Sequence, residues 1–332
     1  MTMDDAFSGH LDRDPLEGLA LRCLLGPTAA GKTALALAIC ERTGAQIISL
    51  DSMQVYRGMD IGTAKASAEE RERVKHYMVD LVDPDQSYDV HQFLTDLRVQ
   101  LLGLNDPDQK LLFVGGTAFY LKALIAGLFD GPPTDLELRK QLNERLREEG
   151  NERLHAELTR IDPVSAVRIH ANDSKRLVRA LEVHAQSGKP LSEWQKQWGW
   201  SKEEAQAKES TAIKHFLVGI DVPPEDLSAR IGERVVKMID AGWPEEACAI
   251  RDGCGFGSTS IQALGYSQIL DLAEGRSTRE QCEELVTIKT RQFARRQRTW
   301  YRKFDIEWLY TSGRGISDLH VTDAIRALGW EE

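Results

Sequence analysis

Residues Gly26 to Thr33 constrain the fold of this chain more than any others. They read GPTAAGKT, the spacing G-x-x-x-x-G-K-T, and sit between an apolar run (Leu19 to Leu25) and an Ala- and Leu-rich stretch (Lys32 to Thr43). Strand, tight loop and helix is the setting in which such a loop cradles phosphate. The glycines permit the turn, and amides of the loop and of the helix N-terminus converge on anionic oxygens. Gly26, Pro27, Thr28, Ala29, Ala30 and Gly31 are therefore candidate diphosphate-binding residues. Lys32 supplies a point charge to the terminal phosphate, and Thr33 is the candidate metal ligand, offering its hydroxyl to Mg2+. An incidental glycine turn ahead of a helix is the competing account; the flanking pattern counts against it.

Short apolar runs alternate with helical patterns beyond the loop. Gln46 to Leu50, His76 to Leu81 and Lys110 to Val114 read as strands; Tyr88 to Leu104 and Thr117 to Ala126 read as helices. This alternation predicts an α/β fold, a P-loop NTPase-like parallel sheet flanked by helices. After Gly131-Pro132-Pro133 the texture changes. Leu136 to Gly199 carries only helical spacing, and strand texture returns at Lys214 to Val222. An all-helical insertion domain is expected over 131–213, within a core formed by 19–130 and 214–332. Residues 1–18, with five carboxylates and no apolar period, read as a flexible acidic tail.

Composition narrows the class. No apolar run approaches the ~18 residues of a membrane helix, and the acidic N-terminus is neither a secretory signal nor a transit peptide. Five cysteines without a C-x-x-C pair suit a reducing cytoplasm rather than a disulfide scaffold or zinc ribbon. The net charge of −10 (42 Lys+Arg against 52 Asp+Glu) opposes indiscriminate coating of nucleic acid but not a local basic patch.

The loop reads polyphosphate geometry, so an NTP or another diphosphate fits equally. The strand ending at Val114 runs into Gly115-Gly116-Thr117 with no acid, where an NTPase would place an Mg2+-binding Asp. Asp51 instead follows the second strand, at the edge that lines the ligand crevice of parallel sheets. It is a candidate general base or metal ligand; a capping role in the next turn is the alternative.

Six segments occur in a recognisable order: the GPTAAGKT loop, DSMQVYRGMDIGTAK (Asp51 to Lys65), GGTAFYLKAL (Gly115 to Leu124), RIHANDSKRLVRALEV (Arg168 to Val183), IQALGY (Ile261 to Tyr266) and TRQFARRQRTWYR (Thr290 to Arg302). Together they resemble the bacterial-type tRNA dimethylallyltransferase (isopentenyltransferase) family over about residues 20 to 310. Departures include Lys75-His76-Tyr77-Met78 where the family usually has Pro-His-His-Leu, and Ala118-Phe119 after GGT. The resemblance implies transfer of a dimethylallyl group from dimethylallyl diphosphate to the exocyclic amine of the adenine 3′-adjacent to the anticodon. It implies Asp51 as base, Thr117 as a second catalytic residue, Arg230 on the diphosphate, Mg2+ as cofactor and the tRNA anticodon stem-loop as partner. A closed apolar channel would protect the allylic carbon from water. No membrane partner is implied, and a cytoplasmic monomer is expected.

For tRNA, the resemblance implicates Asp51, Ser52, Met53, Gln54, Arg139, Lys175, Arg176, Leu177, Val178, Arg179, Gln262, Gly265 and Tyr266. A further candidate comes from spacing. Arg291, Arg295, Arg298 and Arg302 follow i, i+4, i+7, i+11 and make one helical stripe, and no acid lies between Leu285 and Phe304. Phosphate contact is the functional reading and a solvated charged face the alternative. Trp194, Trp198 and Trp200 read as packing rather than a base-stacking platform. His76, His155 and His184 read as structural. Two rivals remain: a small-molecule kinase, which predicts ATP turnover, and a non-catalytic RNA-binding module, indifferent to Asp51.

Overall fold

The computed structural model describes residues 14–106, 108–128, 131–196, 214–312 and 315–330. Two compact units divide the chain. Residues up to 125 and from 213 onward make one, and residues 126–212 the other.

In the first unit, β1 (Leu21–Leu25) is flanked by β4 (Leu111–Gly115) and β5 (His215–Asp221). β2 (Gln46–Leu50) and β3 (His76–Tyr77) continue one side and β6 (Glu307–Tyr310) the other, in the order β3-β2-β4-β1-β5-β6. Every pairing is parallel, which places all the strand C-termini at one edge. Apart from Arg22, β1 and β4 are apolar because helices cover both faces. α1 (Lys32–Thr43) lays Leu35, Ala36 and Ile39 into a cluster with Leu24, Leu112, Val218 and Ile220. It ends at Gly44, whose left-handed backbone lets its N–H reach Cys40 O. The sheet and flanking helices match the expected α/β class.

Local chemistry moved some boundaries. The strand expected to reach Leu81 stops at Tyr77, because Met78 and Asp80 take positive φ (61° and 54°). α2 (Ala68–Arg73) has no apolar stripe; a Ser67–Glu70 capping box defines it instead. α3 (Val90–Leu102) starts on Asp89, which accepts from the amides of His91 and Gln92. α4 (Ala118–Ala126) follows the GGT turn. Of the expected tail, residues 1–13 lie outside the described residues. Residues 14–18 are docked: Asp14 pairs with Arg98 at 2.9 Å, and Leu16 is buried.

The second unit holds α5 (Leu136–Glu149), α6 (Asn151–Ile161), α7 (Pro163–Arg168), α8 (Ser174–Ser187) and α9 (Leu191–Gln195), with no strand among its described residues. Leu142, Leu154, Leu158, Leu177, Val178 and Leu181 form its core, and Trp194 packs at the rim. Trp198 and Trp200 lie outside the described residues. His155 serves structure, its Nε2 bonding the carbonyls of Ile169 and Ala166 at 2.8 and 3.1 Å. The first unit resumes with α10 (Pro224–Asp240), α11 (Trp243–Asp252), α12 (Tyr266–Ala273), α13 (Arg279–Tyr301) and α14 (Asp318–Ala327).

The loop from Asp51 to Lys65 has almost no regular structure, so side chains must hold it. Glu246 of α11 accepts the N–H groups of Asp60, Ile61 and Gly62 at 2.8, 2.6 and 3.0 Å, and the Tyr266 hydroxyl at 2.7 Å. Gly62 permits this approach; a Cβ there would fall 2.2 Å from Trp243 Nε1. Lys65, its side chain fully enclosed, donates to Tyr56 O, Asp60 and Asp80 at 2.7, 2.6 and 2.6 Å. Gln54 accepts from the Ser49 hydroxyl at 2.9 Å. Glu246→Gln turns one acceptor toward backbone donors as an amide N–H2. It should cost about 2–3 kcal/mol of stability, read by urea unfolding with hydrogen exchange at residues 60–62. Unchanged unfolding and exchange would contradict this scaffold.

Candidate active site

The phosphate loop, Asp51 and Thr117 sit at the carboxyl edge of the sheet, where β1, β2 and β4 release their loops. The phosphate loop keeps its shape through left-handed residues at Ala29 (φ 63°) and Gly31 (φ 97°). Two of its amides serve that shape: Thr28 N–H donates to Gln297 Oε1 at 2.9 Å and Ala30 N–H to Pro27 O at 3.3 Å. Lys32 Nζ donates to Gly26 O and Pro27 O at 3.0 and 2.9 Å. Burial and the neighbouring Arg234 lower the Lys32 ammonium to about 8, against an opposing pull from Asp51. Thr33 stands exposed on the first turn of α1.

Asp51 leaves β2 and accepts the Met53 N–H at 2.9 Å. Burial pushes its carboxyl above the ordinary carboxylate range; the amides of Met53 and Gln54 and the charges of Lys32 and Arg234 pull the other way. The capping alternative is thus true as well, since one oxygen serves the turn. Thr117 braces the same turn from β4: its Oγ1 accepts Ser52 N–H at 3.2 Å, and its own N–H donates to Leu50 O at 3.1 Å. Two loops and α1 therefore bring a half-buried carboxylate within the electrostatic reach of the Lys32 ammonium.

Arg234 was not among the expected residues. Arg230 and Arg234 lie one turn apart on α10, but Arg230 donates to Ser312 O at 3.3 Å. The charge of Arg234 acts on both Lys32 and Asp51, lowering the ammonium's pKa and opposing the rise of the carboxyl's. The i, i+4 spacing in LSARIGERV was the available signal.

Several expected tRNA residues have intramolecular work. Tyr266 is fully buried against Trp243 and bonds Glu246. Gly265 caps α12 in a left-handed conformation, and Gln262 is exposed, with its side chain bonded to Ser258 O. Leu177 and Val178 are core residues. Arg139 and Arg179 both donate to the enclosed Glu182 carboxylate, at 2.6 and 2.8 Å. Arg176 pairs with Asp173 at 2.7 Å, and Lys175 is exposed. In the stripe on α13, Arg298 turns inward onto Asp221 at 2.7 Å and onto Val222 O. Arg291, Arg295 and Arg302 are exposed.

For a metal, no group of three or more His, Cys, Asp or Glu forms a cage among the described residues. The exposed Thr33 hydroxyl beside a phosphate loop suits Mg2+, which keeps much of its water and leans on substrate phosphates.

A family model for IPP transferase matches residues 54–304. The tRNA dimethylallyltransferase 2 of Geotalea daltonii is 37% identical, over 88% of each chain. The tRNA dimethylallyltransferase of Geobacter sulfurreducens is 39% identical over 86% of this chain and 89% of its own. Among solved structures, the tRNA isopentenylpyrophosphate transferase of Bacillus halodurans superposes with a TM-score of 0.64 at 30% identity, covering 93% of this chain and 97% of that one. A eukaryotic dimethylallyltransferase acting on tRNA gives 0.71 at 25% identity, covering 92% and 77%. The phosphate-loop α/β core and the matches over most of the chain place it among the transferases. The chain belongs to the IPP transferase family. No described helix is long and apolar enough to cross a membrane.

Proposed function

We propose that this protein transfers a dimethylallyl group from dimethylallyl diphosphate to the exocyclic amine of the adenine 3′-adjacent to the anticodon of tRNA. The observation that carries the reading is the half-buried Asp51 carboxylate, held at the phosphate loop's edge of the sheet by the Met53 amide and the Thr117-braced turn, where the charges of Lys32 and Arg234 act on it. A kinase would need an acid after β4 for its metal; the chain has Gly115-Gly116-Thr117 there.

The chemistry follows from these groups. The adenine amine is a weak nucleophile, its lone pair delocalised into the ring. The carbon–oxygen bond of the allyl diphosphate breaks and its electron pair leaves with diphosphate. The amine nitrogen bonds the allylic carbon, and Asp51 takes the amine proton. The remaining loop amides, Lys32 and Arg234 receive the negative charge of the leaving group. Mg2+, held by Thr33 and the diphosphate, would add to that neutralisation. Thr117 keeps the Asp51 turn in register. Splaying a loop adenine out of its stack is the low-cost way to present its edge. A reducing cytoplasm is the expected compartment.

Arg291, Arg295 and Arg302 in the first unit and, separately, Lys175 and Arg176 in the second are the proposed tRNA-contacting residues. Changing the three arginines to Ala should lower the slope of log affinity against log salt by about one for each phosphate left without its arginine, measured by filter binding across a salt series. A slope equal to wild type would put the RNA elsewhere.

A further inference from the structure

The long helix α13 reaches the site through a residue that neither its charge pattern nor the chemistry above uses. Gln297 is enclosed, 5% exposed, and its amide is spent at both ends: Oε1 accepts Thr28 N–H and Nε2 donates to Gly116 O, each at 2.9 Å. Thr28 belongs to the phosphate loop. Gly116 precedes Thr117, which holds the amide of Ser52 and the carbonyl of Leu50 on either side of Asp51. One side chain therefore links the loop that grips diphosphate to the turn that carries the acid. One helical turn on, the buried Tyr301 hydroxyl lies 3.4 Å from both Gly26 O and Gly115 O and repeats the link more weakly. The missing side chain at residue 116 belongs to the same device. A Cβ there would sit 2.3 Å from Gln297 Nε2.

We propose that Gln297 is a positioning residue of the transfer reaction, fixing the distance and angle between the diphosphate cradle and the Asp51 carboxylate. This rests on the proposed prenyl transfer. In that reaction the bond that breaks is tied to the cradle, and the proton that leaves is taken by the acid. Both ends must be aligned at once, and a misplacement of about 1 Å costs roughly 10²-fold in rate. An amide suits the task because it must accept from an N–H and donate to a carbonyl at the same time. Neither carboxylate nor ammonium does both.

The test is single-turnover transfer with dimethylallyl diphosphate and an anticodon stem-loop, alongside KM for both substrates. Gln297→Met removes both hydrogen bonds. It is expected to lower the transfer rate about 10²-fold while KM for either substrate barely moves. Gln297→Glu keeps the acceptor for Thr28 and sets an anion against the Gly116 carbonyl; protonation restores a donor. Its rate relative to wild type is therefore expected to rise as pH falls. Gly116→Ala displaces the same amide, so it should reproduce the Met defect and add nothing to it in the double variant. Wild-type rates in the Gln297 variants, a loss confined to KM, a pH-independent ratio, or additive effects with Gly116→Ala would each overturn the positioning role. A wild-type protein that transfers no prenyl group would instead sink the proposed function.

Discussion

Asp51→Asn is expected to slow transfer about 10²- to 10⁴-fold, the usual range for loss of a general base, with tRNA affinity retained. Asn is isosteric and its side-chain oxygen still accepts the Met53 N–H that Asp51 accepts at 2.9 Å, so the turn survives and only the proton acceptor is lost. The pH profile makes the prediction sharper. Burial holds the Asp51 carboxyl above its ordinary range, and a base acts only when deprotonated. The single-turnover rate of wild type should therefore fall as pH is lowered through that raised value, and the acid limb should vanish in Asp51→Asn. A wild-type rate in the variant, or an acid limb that persists, would reject Asp51 as the base.

Lys32→Ala should weaken prenyl diphosphate binding by about 1.5–3 kcal/mol, the range for a hydrogen bond to a charged partner, or roughly ten- to a hundredfold. The ammonium must be charged to serve, and burial has brought it to about 8. Because kcat/KM reports groups of the free enzyme, it should decline above about pH 8 as Lys32 loses its proton, an alkaline limb opposite in sign to that of Asp51. Lys32→Arg should push that limb out of range, since guanidinium stays charged. Isothermal titration with dimethylallyl diphosphate and pH-dependent kcat/KM check both. A variant that binds the diphosphate normally but no longer binds tRNA would reverse the assignment of the loop.

What was legible in the residues, and what was not, follows the range of the interactions. The phosphate loop, α1 and the acid after β2 are local patterns, and each appears where its spacing implied. The helical character of the described residues 131–196 was equally plain, because caps and stops such as Asp162-Pro163 and Gly188 are written in adjacent residues. Failures arose where a distant partner decides. Arg298 has the right spacing for a surface stripe, but an acid 77 residues earlier pulls it inward. Nor does the sequence show that Arg139 and Arg179 converge on the enclosed Glu182 carboxylate. Gln297 reads as an ordinary polar helix position. Its two partners lie 269 and 181 residues away, and only the folded sheet brings them together. α14 was also missed: its apolar face (Val321, Ala324, Ile325, Leu328) was visible but lay beyond the last motif.

The central claim is that a phosphate loop and one carboxylate join an allyl group to an adenine amine. Its most direct test is to incubate the protein with tRNA, Mg2+ and dimethylallyl diphosphate, digest the RNA and weigh its nucleosides. The account predicts one adenosine, adjacent to the anticodon, heavier by a dimethylallyl group in place of a hydrogen, with diphosphate released in equal amount. Unmodified adenosine throughout, with ATP consumed when supplied instead, would contradict it.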